Sequence, residues 1–232
     1  SWLYPIYPFK TQEEQQQFID HFHPANLLSR HPKARPLITA TELASLQSMV
    51  QRYIQAMKLS PDIIVQEGVM CAWMKQTADD SKSEDPKGVV MVPAIAYCNY
   101  LDGKIINVKL RSVQQHLITG EWSKLFCQVS PTKPCAPYGI DSINLLRPDA
   151  QPIRQLIITE GEKDRLTLMT CGFPYVLSIA NGASTNIEES HEAFDDWIQQ
   201  AGEIIICGDT DRPGRRLVKL LIEQYQTRAK VT

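Results

Sequence analysis

The chain has 232 residues, 43% of them hydrophobic and 22% charged, with a formal net charge of -2. That is the make-up of a globular protein with room for one large domain or two small ones. No apolar run reaches the roughly 18 residues of a membrane span, no signal peptide opens the chain, and a near-neutral balance leaves any nucleic-acid binding to a local basic patch.

Cys71, Cys98, Cys127, Cys135, Cys171 and Cys207 show no C-x-x-C spacing, and several lie in apolar runs. This reads as reduced intracellular thiols rather than a disulfide frame or a zinc site. A soluble, cytoplasmic protein is therefore expected. The sequence opens on Ser1 without a methionine and stops at Thr232 after a helical pattern, so it reads as part of a longer chain.

The first region, to about residue 75, reads as mainly helical. Thr11 and Glu14 have capping-box spacing ahead of Phe18, Ile19 and Phe22, and Thr39 with Glu42 repeats the signal. Leu43, Leu46, Val50, Tyr53 and Met57 then recur at three- and four-residue steps, which predicts an amphipathic helix. Ser60-Pro61 restarts a helix. His21, His23 and His31 share no helix face and are interrupted by Pro24, a poor metal-ligand pattern. The stretch from Thr77 to Gly88 is polar and reads as a surface loop.

From about 89 to 150 the pattern changes. Apolar and aromatic runs on either side of Asp102-Gly103 predict a β-hairpin. Between residues 104 and 133, Lys104, Lys109, Arg111, Lys124 and Lys133 face only Glu121, a local charge of +4 on a negative chain. A solvated strand face reads the same way as a phosphate-binding one on charge alone. Trp73, Trp122 and Trp197 could stack on bases, although isolated tryptophans are more often core or boundary residues.

Beyond about 153, strands and helices alternate. Leu156 to Ile158 runs into "TEGEKD", "YVLSIANGAS" ends in a glycine turn, Glu188 to Gln200 is helical, and Ile204 to Cys207 runs into Asp209-Thr210-Asp211 before a last helix. This spacing predicts βαβ units on a parallel sheet covered on both faces. Ligands of such sheets bind outside the carboxyl ends of the strands. Glu160, Asp209 and Asp211 follow two such strands directly. Carboxylates about 4 Å apart repel by roughly 4 kcal/mol at an effective dielectric of about 20. A converging set would therefore call for a cation, and few hard oxygen donors suit Mg²⁺ or Mn²⁺. A D-x-D at a strand end is also what a helix N-cap followed by a turn looks like.

Glu160-Gly161-Glu162-Lys163-Asp164, then "ANGAS", then Asp209-Thr210-Asp211-Arg212-Pro213-Gly214 resembles the Toprim domain of bacterial-type DNA primases, topoisomerases and some nucleases. The spacing is most similar to phage primase–helicases and their mitochondrial relative twinkle. "NYLDGKIINVKLRS" resembles the basic strand pair that precedes Toprim in primase cores, and "APYGIDSI" resembles the link between them. The likeness covers about 89 to 225.

The resemblance implies an α/β Toprim fold, a Rossmann-like parallel sheet with flanking helices over 151–232. A mixed α+β primase subdomain with a helical lead-in would occupy 1–150. It implies metals on Glu160, Asp209 and Asp211, supporting acids Glu162 and Asp164, a catalytic Lys109, and phosphate contacts from Lys109, Arg111 and Lys104. The implied activity is primer synthesis: nucleotidyl transfer from NTPs on a single-stranded DNA template, beside a replicative helicase domain or subunit and with no membrane. A DNA-cleaving Toprim nuclease or topoisomerase-like enzyme, or a non-catalytic nucleic-acid-binding module, are the other readings. A topoisomerase would need a nucleophilic tyrosine in a separate domain. The zinc module and third acidic motif of the primases have no counterpart in these residues, so the isolated chain is expected to be incomplete in activity.

Overall fold

The apolar and aromatic runs on either side of Asp102-Gly103 form the long hairpin of the protein, β3 (Val89–Leu101) and β4 (Lys104–Ser112). Both turn residues have positive φ, 52° and 71°, the conformation of the two-residue turn whose twist matches that of its strands. The structure, a computed structural model, describes residues 3–5, 40–77, 89–128, 136–147, 149, 151–179, 195, 197–227 and 230–232. The Thr11–Glu14 box, the three N-terminal histidines, the 78–88 loop, Lys133, Cys135 and the glycine turn of "ANGAS" lie outside the described residues.

The chain divides into two compact units: 1–61, 68–98 and 107–131 form the first, and 62–67, 99–106 and 132–232 the second. The hairpin tip, the short helix α2 (Pro61–Gln66), nearly all of it, and residues 136–147 pack with the C-terminal half. Leu101 and Ile106 of the tip lie against that unit's hydrophobic core, which is why the tip belongs there.

In the first unit, β1 (Leu3–Pro5), β2 (Met70–Thr77), β3, β4 and β5 (Phe126–Gln128) form one five-stranded sheet in that order. The helix α1 (Ala40–Ala56) buries Leu46, Val50 and Tyr53 of the predicted stripe and Ile54 beside them, with Leu43 half-buried. The lead-in is not wholly helical, however, since β1 and β2 are strands. The helical period ends at Gln66, Gly68 takes a φ of 58°, and Met70–Thr77 then pairs antiparallel with β3 along its whole length. Those pairings, long-range in sequence, decide the state of a segment with no clear period of its own.

The second unit holds a parallel sheet, β7 (Val176–Ser178), β6 (Ile153–Thr159), β8 (Ala201–Cys207) and β9 (Lys230–Val231) in spatial order. Both faces are covered, as the near-continuous apolar strands require. Leu156, Ile158, Leu177 and Ile204 face one core with Trp197, Ile198, α3 (Ile140–Leu146) and α5 (Arg212–Tyr225). Ile157 and Val176 face the other, with Met169 of α4 (Glu162–Thr170) and, at its edge, Ile63 and Ile205. Side chains alternate between faces along each strand, which is how Ile157 and its two neighbours reach opposite sides. Among the described residues no helix is long and apolar enough to cross a membrane.

Candidate functional site

Strands β6 and β8 run parallel in register to Thr159 opposite Cys207. The residues that follow, Glu160 and Gly208-Asp209, therefore emerge side by side at the carboxyl rim of the sheet. The Glu160 backbone N–H donates to the Cys207 carbonyl at 3.2 Å, extending the ladder by one step. The Asp209 N–H donates to Glu160 Oε2 at 3.1 Å. This places the two acidic residues against each other and leaves Glu160 Oε1 and the whole Asp209 carboxylate for other partners. Among the described residues neither has a basic side chain within ion-pair distance.

Asp211 serves differently. Its Oδ1 accepts from the Gly214 N–H at 2.8 Å, an N-cap on α5 with Pro213 in the first turn. The D-x-D is thus one exposed acid followed by one cap. Gly214 makes the turn possible: a Cβ there would fall 2.3 Å from the Asp209 carbonyl oxygen, so only glycine lets the helix start so close to Asp209. Arg212, Arg215 and Arg216 are all exposed.

The supporting acids separate as well. Glu162 is buried in the first turn of α4, on the stripe of Arg165, Leu166 and Met169. Asp164 is partly exposed and pairs with Lys163 at 3.3 Å. Its charge reaches the rim: the Cys207 thiol is pushed above its ordinary value, first by the protein packed around it and then by the Asp164 carboxylate. Burial pushes Cys71 up to about 12 and raises Cys127 as well. All three thiols are thereby held away from the thiolate form that makes a nucleophile.

Lys109 and Arg111 sit on β4 in the first unit, opposite Gln128 and Phe126 of β5. Lys104 is exposed at the hairpin tip, in the second unit. Asp141, at the start of α3, accepts from both turn N–H groups, Asp102 at 3.0 Å and Gly103 at 2.7 Å, and so holds that tip in place. Trp122 and Trp197 are packing residues: Trp122 meets Tyr53 edge-on with centroids 5.1 Å apart, and Trp197 is buried under Arg147.

A feature that sequence reading missed lies one turn along α4 from the acidic rim. Arg165 is wholly buried and forms an ion pair with buried Glu67. It also donates to Ser142 Oγ at 2.6 Å and to the Val176 carbonyl at 2.8 Å, with its guanidinium over the Tyr138 ring. Gly139, at a φ of 106°, clears the space it fills, since a Cβ there would lie 2.2 Å from Arg165 Nε. The legible signal was an arginine on the buried stripe of a short helix.

The rim fits a divalent cation of the hard, water-retaining kind. Its donors are carboxylate oxygens, few, at least partly open to solvent and without an ion-paired base among the described residues, as Mg²⁺ and Mn²⁺ prefer when a substrate supplies further ligands. Among the described residues no three His, Cys, Asp or Glu side chains are grouped so as to hold a metal ion by themselves, so a cation here would take its remaining ligands from water and substrate.

Residues 155–232 match the Toprim domain family. Two curated relatives from Arabidopsis thaliana are similar: a primase homolog protein, 28% identical over 140 residues covering 55% of this chain and 36% of the relative, and a chloroplastic/mitochondrial Twinkle homolog protein, 24% identical over 195 residues covering 78% and 23%. The chain thus spans about a third or less of the length of these relatives. In structure it resembles the primase fragment of the bacteriophage T7 primase–helicase protein, with a TM-score of 0.53 and 23% identity over 76% of this chain and 62% of that one.

Proposed function

With residues 155–232 a Toprim domain and the chain sharing the fold of a phage primase fragment, we propose that this protein is the catalytic core of a DNA primase. It joins ribonucleotides on a single-stranded DNA template: a 3′-hydroxyl attacks the α-phosphate of an incoming NTP and pyrophosphate leaves. The observation that carries this reading is the pairing of Glu160 and Asp209 at the rim, fixed by the 3.1 Å hydrogen bond and lacking a basic partner among the described residues.

Glu160, Asp209 and the second oxygen of Asp211 would hold Mg²⁺ or Mn²⁺, which neutralises charge on the attacking and leaving oxygens. The chain's own groups do the positioning. The Asp209 N–H orients Glu160, and the close approach of Gly214 fixes the backbone that carries Asp209. Lys109, Arg111 and Lys104 supply cations to phosphates, Arg bidentately and Lys as point charges. Glu162 and Asp164 shape the acidic field around the rim. Work beside a replicative helicase domain or subunit belongs to the same reading, since the matched T7 fragment comes from a primase–helicase protein.

One observation favours a second reading. The Asp211 Oδ1 is committed to a helix cap, which leaves that residue one oxygen fewer for a metal and suits a module that binds nucleic acid without turnover. Two measurements separate the readings. Mn²⁺ binding, followed by paramagnetic relaxation, is expected to fall in Glu160→Gln and Asp209→Asn. The longest natural form of the chain, given single-stranded DNA, Mg²⁺ or Mn²⁺ and four NTPs, is expected to yield short RNA that Glu160→Gln abolishes. Metal binding without RNA selects the non-catalytic module; nicked DNA without NTP incorporation selects a nuclease; unchanged Mn²⁺ binding in both variants removes the metal site.

A further inference from the structure

We propose that Phe126 is a base-stacking residue for single-stranded nucleic acid, set on the same strand face as Lys109 and Arg111; the proposal rests on the primase reading and names a contact that reading does not supply. Across β4 and β5, Arg111 stands opposite Phe126, Leu110 opposite Cys127, and Lys109 opposite Gln128. Facing residues of an antiparallel pair send their side chains to the same side. Leu110 is wholly buried, so its side is the core side. Phe126, Arg111 and Lys109 share the other side. There the Phe126 ring is 63% exposed, and the Lys109 ammonium lies 5.2 Å from its centroid.

A large ring left open to water beside two cations has a definite complement. Every base offers a π-face to an aromatic ring whatever its sequence, and the phosphates that link bases offer charge to lysine and arginine. The Arg111 Nε is buried without a hydrogen-bond partner, an unmet donor that a phosphate oxygen would satisfy once the side chain shifts. An acidic protein surface would meet the cations but has no reason to leave a flat ring uncovered. The segment that leads into Phe126 is held in shape. Trp122 is pinned edge-on against Tyr53, and His116 Nδ1 accepts from the Thr119 N–H at 3.1 Å. Leu117 and Ile118 stand exposed at the loop tip.

The test is fluorescence anisotropy of a labelled oligodeoxythymidylate of about 12 nucleotides across a range of salt. For the unaltered chain, affinity falls steeply with salt. Phe126→Ala weakens binding about five- to a hundredfold, the worth of one base stack, with the log–log salt slope unchanged. Phe126→Trp restores affinity and Phe126→Leu does not. Lys109→Ala lowers the slope by about 1. If the loss in Phe126→Ala came through a displaced Lys109, the slope would drop as well, and stacking would be refuted. Stacking is also refuted if Phe126→Ala binds normally, if leucine serves as well as tryptophan, or if Leu117→Ser with Ile118→Ser weakens binding as much. In each of those cases the salt-dependent binding still supports the primase reading, whereas absence of such binding in the unaltered chain would overturn both.

Discussion

Glu67 and Glu160 belong to the same unit and meet opposite treatment. Glu67 is buried and paired with a buried arginine that itself satisfies a hydroxyl and a carbonyl. Glu160 stands at an open rim, takes one backbone N–H, and is placed beside another acid. The first arrangement joins α2, α3, α4 and β7 through one guanidinium. The second leaves negative charge unanswered where the sheet ends. Burial of charge without pairing is prohibitive, so the interior must resolve its electrostatics internally. The rim, in water, can leave the resolution to a ligand. Structural and functional charge are thus told apart by whether the protein completes the set.

The contrast is sharpest in what single substitutions do to stability. Arg165→Ala or Glu67→Ala strands a buried charge and is expected to destabilise by about 3–5 kcal/mol. Replacing both partners at once, Glu67→Leu with Arg165→Met, should cost much less than the sum of the two. Chemical denaturation with a double-mutant cycle measures this. Additive costs would mean that the pair is not the unit that matters.

Gly214→Ala comes next. The added methyl would strike the Asp209 carbonyl, so α5 must shift or the turn must open. A loss of about 1–3 kcal/mol is expected, together with loss of Mn²⁺ binding at Asp209. Retained binding would show that the close approach does not position the rim.

Asp211 tests the boundary between the two kinds of charge, because its carboxylate caps a helix at the rim. Asp211→Ala removes the acceptor for the Gly214 N–H and should cost about 1 kcal/mol. Asp211→Asn keeps an acceptor and should be nearly neutral in thermal unfolding. On the primase reading, activity is expected to fail in both, since only the charged carboxylate would hold the metal. Glu160→Gln likewise keeps the acceptor for the Asp209 N–H while removing repulsion, so its stability should stay within about 0.5 kcal/mol of the parent or rise.

The rim was legible in the sequence and the buried pair was not, for one physical reason. Glu160 and Asp209 each follow an apolar strand directly, and strand register alone brings strand ends together. The N-cap at Asp211 was legible too, as the ordinary alternative for an acid ahead of Arg212-Pro213-Gly214. Glu67 and Arg165 are 98 residues apart, and nothing local couples them. The only trace is an arginine on a buried helical stripe whose other members are mostly apolar. The strand Met70–Thr77 was hidden in the same way, its state set by pairing with β3 rather than by its own period. Residues 99–106 joined the C-terminal unit for a similar reason: the acceptor for their turn N–H groups is Asp141.

The smallest effect concerns a third kind of charge, paired at the surface, with Glu203 half-buried and Lys230 exposed. Glu203 of β8 meets Lys230 of β9 at 2.6 Å and also accepts from Gln155 at 2.9 Å. Hydrogen bonds from Lys230 first, and then from Gln155, lower its carboxyl from 4.5 to about 2. A carboxyl whose folded value is depressed stabilises the fold fully above its unfolded value and loses that contribution as pH falls through the folded one. Stability should therefore decline between about pH 4.5 and about pH 2 as this group titrates. Lys230→Ala should flatten that part of the profile by lowering stability near neutrality while leaving stability at acid pH unchanged, and the loss should be small because the pair lies at the surface and is screened. Added salt should shrink the difference between the two proteins. If Lys230→Ala instead costs as much as breaking the Glu67–Arg165 pair, then exposure is not what separates the cheap charges of this protein from the expensive ones.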